Sequence, residues 1–263
     1  MLIAVCGMKG VGKTHTTLRE IEHYLKSKHG RLGRKALIFD VNAPMERSYE
    51  RYRTCDLDQI HLLKSIECRR VVALNKDTSP MTIAEKQEAA YTILKLYTQG
   101  LIVLEDLNNY VLQAKSTDFI GAITTNRHKD QDIIIHYQSL SALCPRMWQN
   151  CSVIRFHHQL DSIDRYMKRI PNPELMKLAQ IIVDEQYYRG NKRYYIYVKN
   201  LDNKLIGTTE FWFRRACQQY LNNDSRALAS LMRETDDRGR PKHKSLKDAV
   251  ETFVQRRMHY ILP

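Results

Sequence analysis

Long apolar runs are missing from these 263 residues. No stretch of eighteen consecutive apolar side chains occurs, so no membrane-spanning helix is expected. The apolar start, residues 2–6, is too short for the core of a signal peptide, which makes a cytoplasmic compartment the default expectation. Paired cysteines are missing as well. Cys6, Cys55, Cys68, Cys144, Cys151 and Cys217 are scattered with no C-x-x-C spacing, which argues against a zinc ribbon or a disulfide framework and for free thiols. Glycine and proline are sparse, 10 and 7 residues, and no low-complexity tract or internal repeat is visible, so collagenous and solenoid architectures are excluded. Negative charge is in short supply: 29 Asp and Glu face 42 Lys and Arg, for a formal net charge of +13. Such a surplus favours a polyanionic partner, nucleic acid ahead of an anionic membrane surface.

What is present begins at residue 7. Gly7-Met-Lys-Gly-Val-Gly-Lys-Thr14 fits G-x-x-x-x-G-K-[ST] in full, between an apolar strand (residues 2–6) and a helical pattern (residues 13–28). The glycines let the backbone curl until its N–H groups face phosphates, and the helix aims its positive dipole end at the same place. The nucleotide-contacting set is therefore Gly7, Lys9, Gly10, Val11, Gly12, Lys13, Thr14 and His15. Lys13 would reach the β- and γ-phosphates of ATP, and the Thr14 hydroxyl would hold Mg²⁺.

A phosphate loop needs an acidic partner for the metal and the attacking water, supplied from the end of a nearby strand. Leu101-Ile-Val-Leu-Glu105-Asp106 is the best candidate. The common order is Asp then Glu, and here it is reversed. Glu105 and Asp106 share metal and base duties, and the sequence leaves open which does which. Asp40, closing Ala36-Leu-Ile-Phe-Asp40, competes for the metal position and could equally cap a turn.

Apolar runs at 2–6, 36–39, 71–74, 101–104, 133–136 and 153–156 alternate with helical patterns at 13–28, 82–98 and 141–149, the signature of a mostly parallel sheet flanked by helices. Residues 44–70 show no clear pattern. A basic turn is read at 29–34 and a helix at 161–169. Residues 193–198 and 204–206 read as a hairpin. The fold class is α/β, a RecA-like P-loop core over residues 1–207. A helical basic extension follows over 208–263, with eleven Lys and Arg against seven Asp and Glu and a linker at 236–244 expected to be mobile.

Between Asn126 and Phe156 an ordered set appears: Arg127 before an apolar strand, Gln138 after it, then a helix and Asn150 before the next strand. This set resembles the FtsK–HerA superfamily of nucleic-acid-pumping ATPases, which includes viral genome-packaging ATPases and the ATPase part of zonular-occludens-toxin-like phage proteins. The resemblance covers residues 1 to about 160 and the 193–206 hairpin. It implies a homo-oligomeric ring, usually a hexamer, with each site at a subunit boundary. Gln138 would sense the γ-phosphate. Arg127, with Arg146 and Arg155 as reserves, would act in the neighbouring subunit's site. It further implies nucleic acid as the partner, DNA ahead of RNA, a capsid or portal protein as a further one, and the host cytoplasm or virion as the place.

The loop is also similar to that of ParA/MinD partition ATPases, with Lys9, Thr16, Thr17 and Asp40 in keeping. But their signature Lys falls at the second position of the motif, here Met8, and their later D-x-x-x-G is missing. A small-molecule kinase would need an arginine-rich lid, for which Arg69-Arg70 is the one candidate. A non-catalytic nucleotide-binding scaffold is the fourth reading, against which Lys13 and Thr14 stand intact. The tyrosines at 187–197, interleaved with Arg189, Lys192 and Arg193, suit a half-buried strand better than a base-stacking surface.

Overall fold

The structure, a computed structural model, describes residues 1–27, 32–111 and 117–261. The chain forms two compact units. The first comprises residues 1–154 and 159–161, the second residues 155–158 and 162–263.

In the first unit, six parallel strands form a sheet in the order β3 (Arg53–Thr54), β4 (Cys68–Val72), β2 (Lys35–Asp40), β5 (Gly100–Leu104), β6 (Gln131–Tyr137), β1 (Leu2–Cys6). Every residue of β1 and β5 is buried. That is why these strands read as unbroken apolar runs rather than alternating ones: helices cover both faces of a parallel sheet. Burying each Val, Leu or Ile side chain contributes about 1.5–3 kcal/mol, so the central strands hold the unit's core. Helices α1 (Lys13–Leu25), α2 (Ile83–Leu96), α3 (Thr117–Thr124) and α4 (Pro145–Asn150) connect the strands. α2 starts at a capping box, with the Thr82 side chain accepting from the Glu85 N–H and Glu85 accepting from the Thr82 N–H, which satisfies two amide donors of the first turn.

Three expectations shift. The strand expected at 71–74 is β4, Cys68–Val72; Arg69 and Arg70 hide its start, and Arg70 is accommodated because it donates to Asp40 of neighbouring β2 at 3.0 Å. The helix expected from residue 141 begins at Pro145, since a proline biases the residue before it toward extended backbone, and Cys144 sits at ψ 158°. The expected helix at 161–169 is a 3-10 turn, Ile163–Arg169. The basic turn read at 29–34 lies partly outside the described residues.

Strand β7 (Val153–His157) begins in the first unit and ends in the second. The second unit contains α5 (Pro173–Tyr188), the hairpin β8 (Tyr195–Lys199) and β9 (Lys204–Ile206), and helices α6 (Glu210–Asn223), α7 (Ser225–Met232) and α8 (Leu246–Arg257). α5 is entered through Pro173 with Asn172 capping the Leu175 N–H. The segment 236–244 contains a turn in which Asp236 accepts from the backbone N–H groups of Arg238 and Arg240 and from the Arg240 guanidinium.

Candidate nucleotide and metal site

The site lies at the carboxyl ends of β1, β5 and β6. Gly10 and Gly12 adopt φ of 86° and 88°, left-handed conformations that favour glycine, and they turn the chain from β1 into α1. α1 has no side chain capping its first amides and no acidic residue in its first turn, so its positive end is left for an anion. Val11 is buried. Lys13 Nζ donates to the carbonyls of Gly7 at 2.6 Å and Met8 at 2.9 Å. Burial pulls the Lys13 pKa down, against the opposing pull of Asp106, Cys6 and Glu105. Lys9 and His15 are exposed, and Lys9 pairs with Glu46 at 3.0 Å.

Glu105, the first residue after β5, is only 4% exposed and is surrounded by donors. Its Oε1 accepts from Thr14 Oγ1 at 3.4 Å, from His136 Nδ1 at 3.0 Å and from the Tyr49 hydroxyl. Its Oε2 accepts from Asn42 Nδ2 at 3.2 Å. Burial raises the carboxyl pKa, but His136, Tyr49 and Asn42 outweigh it and hold the group below the usual value. A buried carboxylate with this many donors stays ionised. His136 also reaches back to α1, with Nε2 2.8 Å from the buried Thr17 hydroxyl.

Asp106 follows in the left-handed region at φ 42°, half-buried. Its Oδ2 accepts from the same Asn42 amide at 3.1 Å. The two neighbouring carboxylates thus stand in different environments, one enclosed by donors and one at the turn.

The remaining predicted residues are placed as follows. Asp40 is buried at the end of β2 and engaged by Arg70; burial raises its pKa and Arg70 partly offsets that. Glu105, not Asp40, is therefore the carboxylate in contact with Thr14. Gln138 follows β6 and is exposed. Because β6 lies between β1 and β5, with Tyr137 opposite Cys6 and Ile135 opposite Leu104, Gln138 emerges between the phosphate loop and the acidic pair. Arg127 falls in a short 3-10 turn, residues 126–129, and its side chain lies outside what the structure describes. Arg146 is exposed. Arg155, one of the reserves for an arginine reaching a neighbouring subunit, is fully buried and has no free reach for that task.

Sequence reasoning missed Asn42, Tyr49 and His136 as partners of the acidic pair. His136 carried a signal, a polar residue closing an apolar run of three isoleucines. Tyr49, in the patternless stretch 44–70, carried none.

No protein-family model matches the chain, and no curated protein sequence matches it. Solved structures do. The DNA-packaging ATPase B204 from Sulfolobus turreted icosahedral virus superposes at a TM-score of 0.52, with 13% identity over 78% of this chain and 94% of that one. The genome-packaging NTPase B204 from Sulfolobus turreted icosahedral virus 2 does so at 0.51 with 14% identity in its AMP complex, and at 0.50 with 13% identity in its ATPγS complex, with the same coverage. This chain has a P-loop NTPase fold, shared with those proteins. The likeness extends to the mostly parallel sheet with its flanking helices, and it fits the placing of the phosphate loop and acidic pair at the sheet's carboxyl edge.

Proposed function

We propose that the chain is an FtsK–HerA-type ATPase that couples ATP hydrolysis to the packaging or translocation of nucleic acid, working as a homo-oligomeric ring. The observation that carries this reading is the acidic pair at the end of β5: one carboxylate buried among four donors, the other half-buried at the turn, across β6 from an intact phosphate loop.

The division of labour follows from those environments. Glu105 is enclosed and touches Thr14, so it takes the metal side. A Thr hydroxyl and a carboxylate are hard oxygen donors, as Mg²⁺ requires, and P-loop sites take few protein ligands because phosphates and water complete the shell. Bound there, Mg²⁺ would neutralise charge developing on the β- and γ-phosphate oxygens. The loop amides and Lys13 bind the phosphates, with Lys13 moving from the Gly7 and Met8 carbonyls onto the nucleotide. Asp106 accepts the proton of the water that attacks the γ-phosphorus as the bond to the β-phosphate oxygen breaks. Gln138 orients that water or senses the γ-phosphate. Arg127 or Arg146 from a neighbouring subunit supplies positive charge to the transition state.

The +13 charge supports a nucleic-acid track, DNA ahead of RNA, and a capsid or portal protein is the natural further partner of such a motor. Among the described residues, no helix is long and apolar enough to cross a membrane. The test is steady-state ATP hydrolysis with and without single- and double-stranded DNA, beside Lys13→Ala, with mass measured in solution. Stimulation by a nucleic acid, lost in Lys13→Ala, from a ring-sized species is the expected result. Hydrolysis from a monomer indifferent to every nucleic acid would overturn the reading.

A further inference from the structure

The positive charge is unevenly divided. The second unit holds 21 Lys and Arg against 12 Asp and Glu, a surplus of nine, and the first unit holds 21 against 17, a surplus of four. The smaller unit thus carries most of the net charge, although it contains neither the phosphate loop nor the acidic pair.

Within it, one surface departs from ordinary solvated helix faces. At the C-terminal end of α5 and the start of α6, Tyr188 is 77% exposed and Phe211 59% exposed. Phe211 packs edge-on against Trp212, ring centroids 5.0 Å apart. The Arg189 guanidinium lies 5.1 Å from the Trp212 ring centre, and that of Arg215 lies 5.9 Å from both Trp212 and Phe211. Both arginines share a single carboxylate, Glu185, at 2.9 and 2.6 Å. Two positive charges against one negative leave the cluster cationic. Rings and a shared carboxylate hold the guanidinium planes in place while their remaining N–H groups face water. Such a surface has the composition of a base-stacking platform: exposed rings for nucleobases, fixed forks for phosphates.

We infer that this surface, built from Tyr188, Arg189, Phe211, Trp212 and Arg215, binds single-stranded nucleic acid. Bases stack on Phe211 and Tyr188, and phosphates lie against Arg189 and Arg215. The inference rests on the nucleic-acid reading above and deepens it by naming the strand form and the unit that grips it. A duplex hides its base faces in the stack, so it gains only the phosphate contacts.

The test is fluorescence anisotropy with a labelled 20-nucleotide single strand and the matching duplex, on the full chain, the double variant Tyr188→Ala/Phe211→Ala and the double variant Arg189→Gln/Arg215→Gln. ATP hydrolysis is measured on each preparation without nucleic acid. These side chains are exposed, so melting temperatures should match the parent. Loss of the two rings should weaken single-strand binding about tenfold or more and leave duplex binding within twofold, since each base–ring stack contributes about 1–3 kcal/mol. Loss of the two arginines should reduce the slope of log affinity against log salt by about 1.4, at about 0.7 per phosphate contact on a single strand. Unchanged single-strand affinity in the ring variant, or equal losses on strand and duplex, overturns the inference while leaving the motor reading standing. A parent protein that hydrolyses ATP but binds no nucleic acid overturns both. A concentration-dependent oligomer that dissociates in the ring variant, with strand binding intact, assigns the surface to a second copy of the chain instead.

Discussion

Glu105 and Asp106 can be separated experimentally because their surroundings make opposite predictions for the same chemical change, carboxylate to amide. In Glu105→Gln the amide oxygen must face the side where Thr14, His136 and Tyr49 all donate. The new NH₂ then confronts Asn42 Nδ2, which stood 3.2 Å from Glu105 Oε2, donor against donor. Asn42 gains nothing by turning its amide over, since its oxygen would then oppose the Asp106 carboxylate, 3.1 Å away. An unsatisfied buried donor costs about 1–3 kcal/mol, and the surviving bonds fall from charge-assisted to neutral strength, roughly half. A total of about 2–4 kcal/mol lowers the melting temperature of a chain this size by about 4–15 °C. Asp106→Asn differs on every count. The turn is half-buried, Asn tolerates a left-handed backbone, and its amide oxygen can still face Asn42. Stability should change by less than about 0.5 kcal/mol, while loss of the proposed base should lower hydrolysis by about 10²–10⁴-fold. The assay pairs thermal melting of the nucleotide-free proteins with single-turnover ATP hydrolysis and a fluorescent-nucleotide binding curve. A Glu105→Gln protein melting within a degree of the parent, or an Asp106→Asn protein hydrolysing within threefold of it, would refute the assignment.

Three further substitutions probe the supports. His136→Asn keeps a donor near the position of Nδ1 and should retain more hydrolysis than His136→Leu, which removes the contacts to Glu105 and Thr17 together; single-turnover rates and melting curves on both variants distinguish positioning from bulk packing. Gly100→Ala would place a Cβ 2.6 Å from the Lys35 carbonyl oxygen and 2.7 Å from the Tyr97 hydroxyl, where β5 meets β2 in register. Overpacking of that kind costs about 1–3 kcal/mol, so the melting temperature should fall by several degrees, and an unchanged melt would contradict the packing described. In the second unit, Arg256 donates twice to Glu234 at 2.6 Å, which, with help from His243 and against desolvation, holds the Glu234 pKa at about 2 instead of the ordinary 4.5. A depressed carboxyl stabilises the fold above its unfolded pKa, and that contribution is lost as pH falls through the folded value. Urea midpoints followed from pH 5 to pH 2 should therefore fall less steeply in Glu234→Gln than in the parent, and parallel curves would discount the pair.

Much of the first unit was legible because its sheet is buried on both faces: five of its apolar runs are strands, and the one that shifted, β4, did so where half-buried Arg70 replaces an apolar residue and depends on a partner thirty positions away. The phosphate loop was legible because its chemistry constrains four positions within a run of eight, Gly7, Gly12, Lys13 and Thr14. Tyr49 was not. It sits in a stretch with a two-residue strand and a 3-10 turn, so no period marks it, and only tertiary placement brings its hydroxyl to Glu105. Asn42 was hidden for another reason: an Asn two residues past a strand ordinarily reads as a turn residue, and nothing local says that its amide spans two carboxylates.

The reversed order of the acidic pair shows how far residue type and position can be separated. Successive residues along an extended chain point to opposite sides, and the residue just past the last sheet position of β5 faces α1 and the phosphate loop. That position holds Glu105, and its extra methylene lets the carboxylate reach Thr14 while Tyr49 and His136 close around the same oxygen. The following residue enters the turn at positive φ, where a short side chain with local hydrogen bonding is at home, and Asp is such a residue. On the proposed reading, the roles follow from the strand's end and the turn after it. A Glu-then-Asp pair can serve the site as well as the common order, provided the surrounding donors fit the longer side chain, as Asn42, Tyr49 and His136 do here.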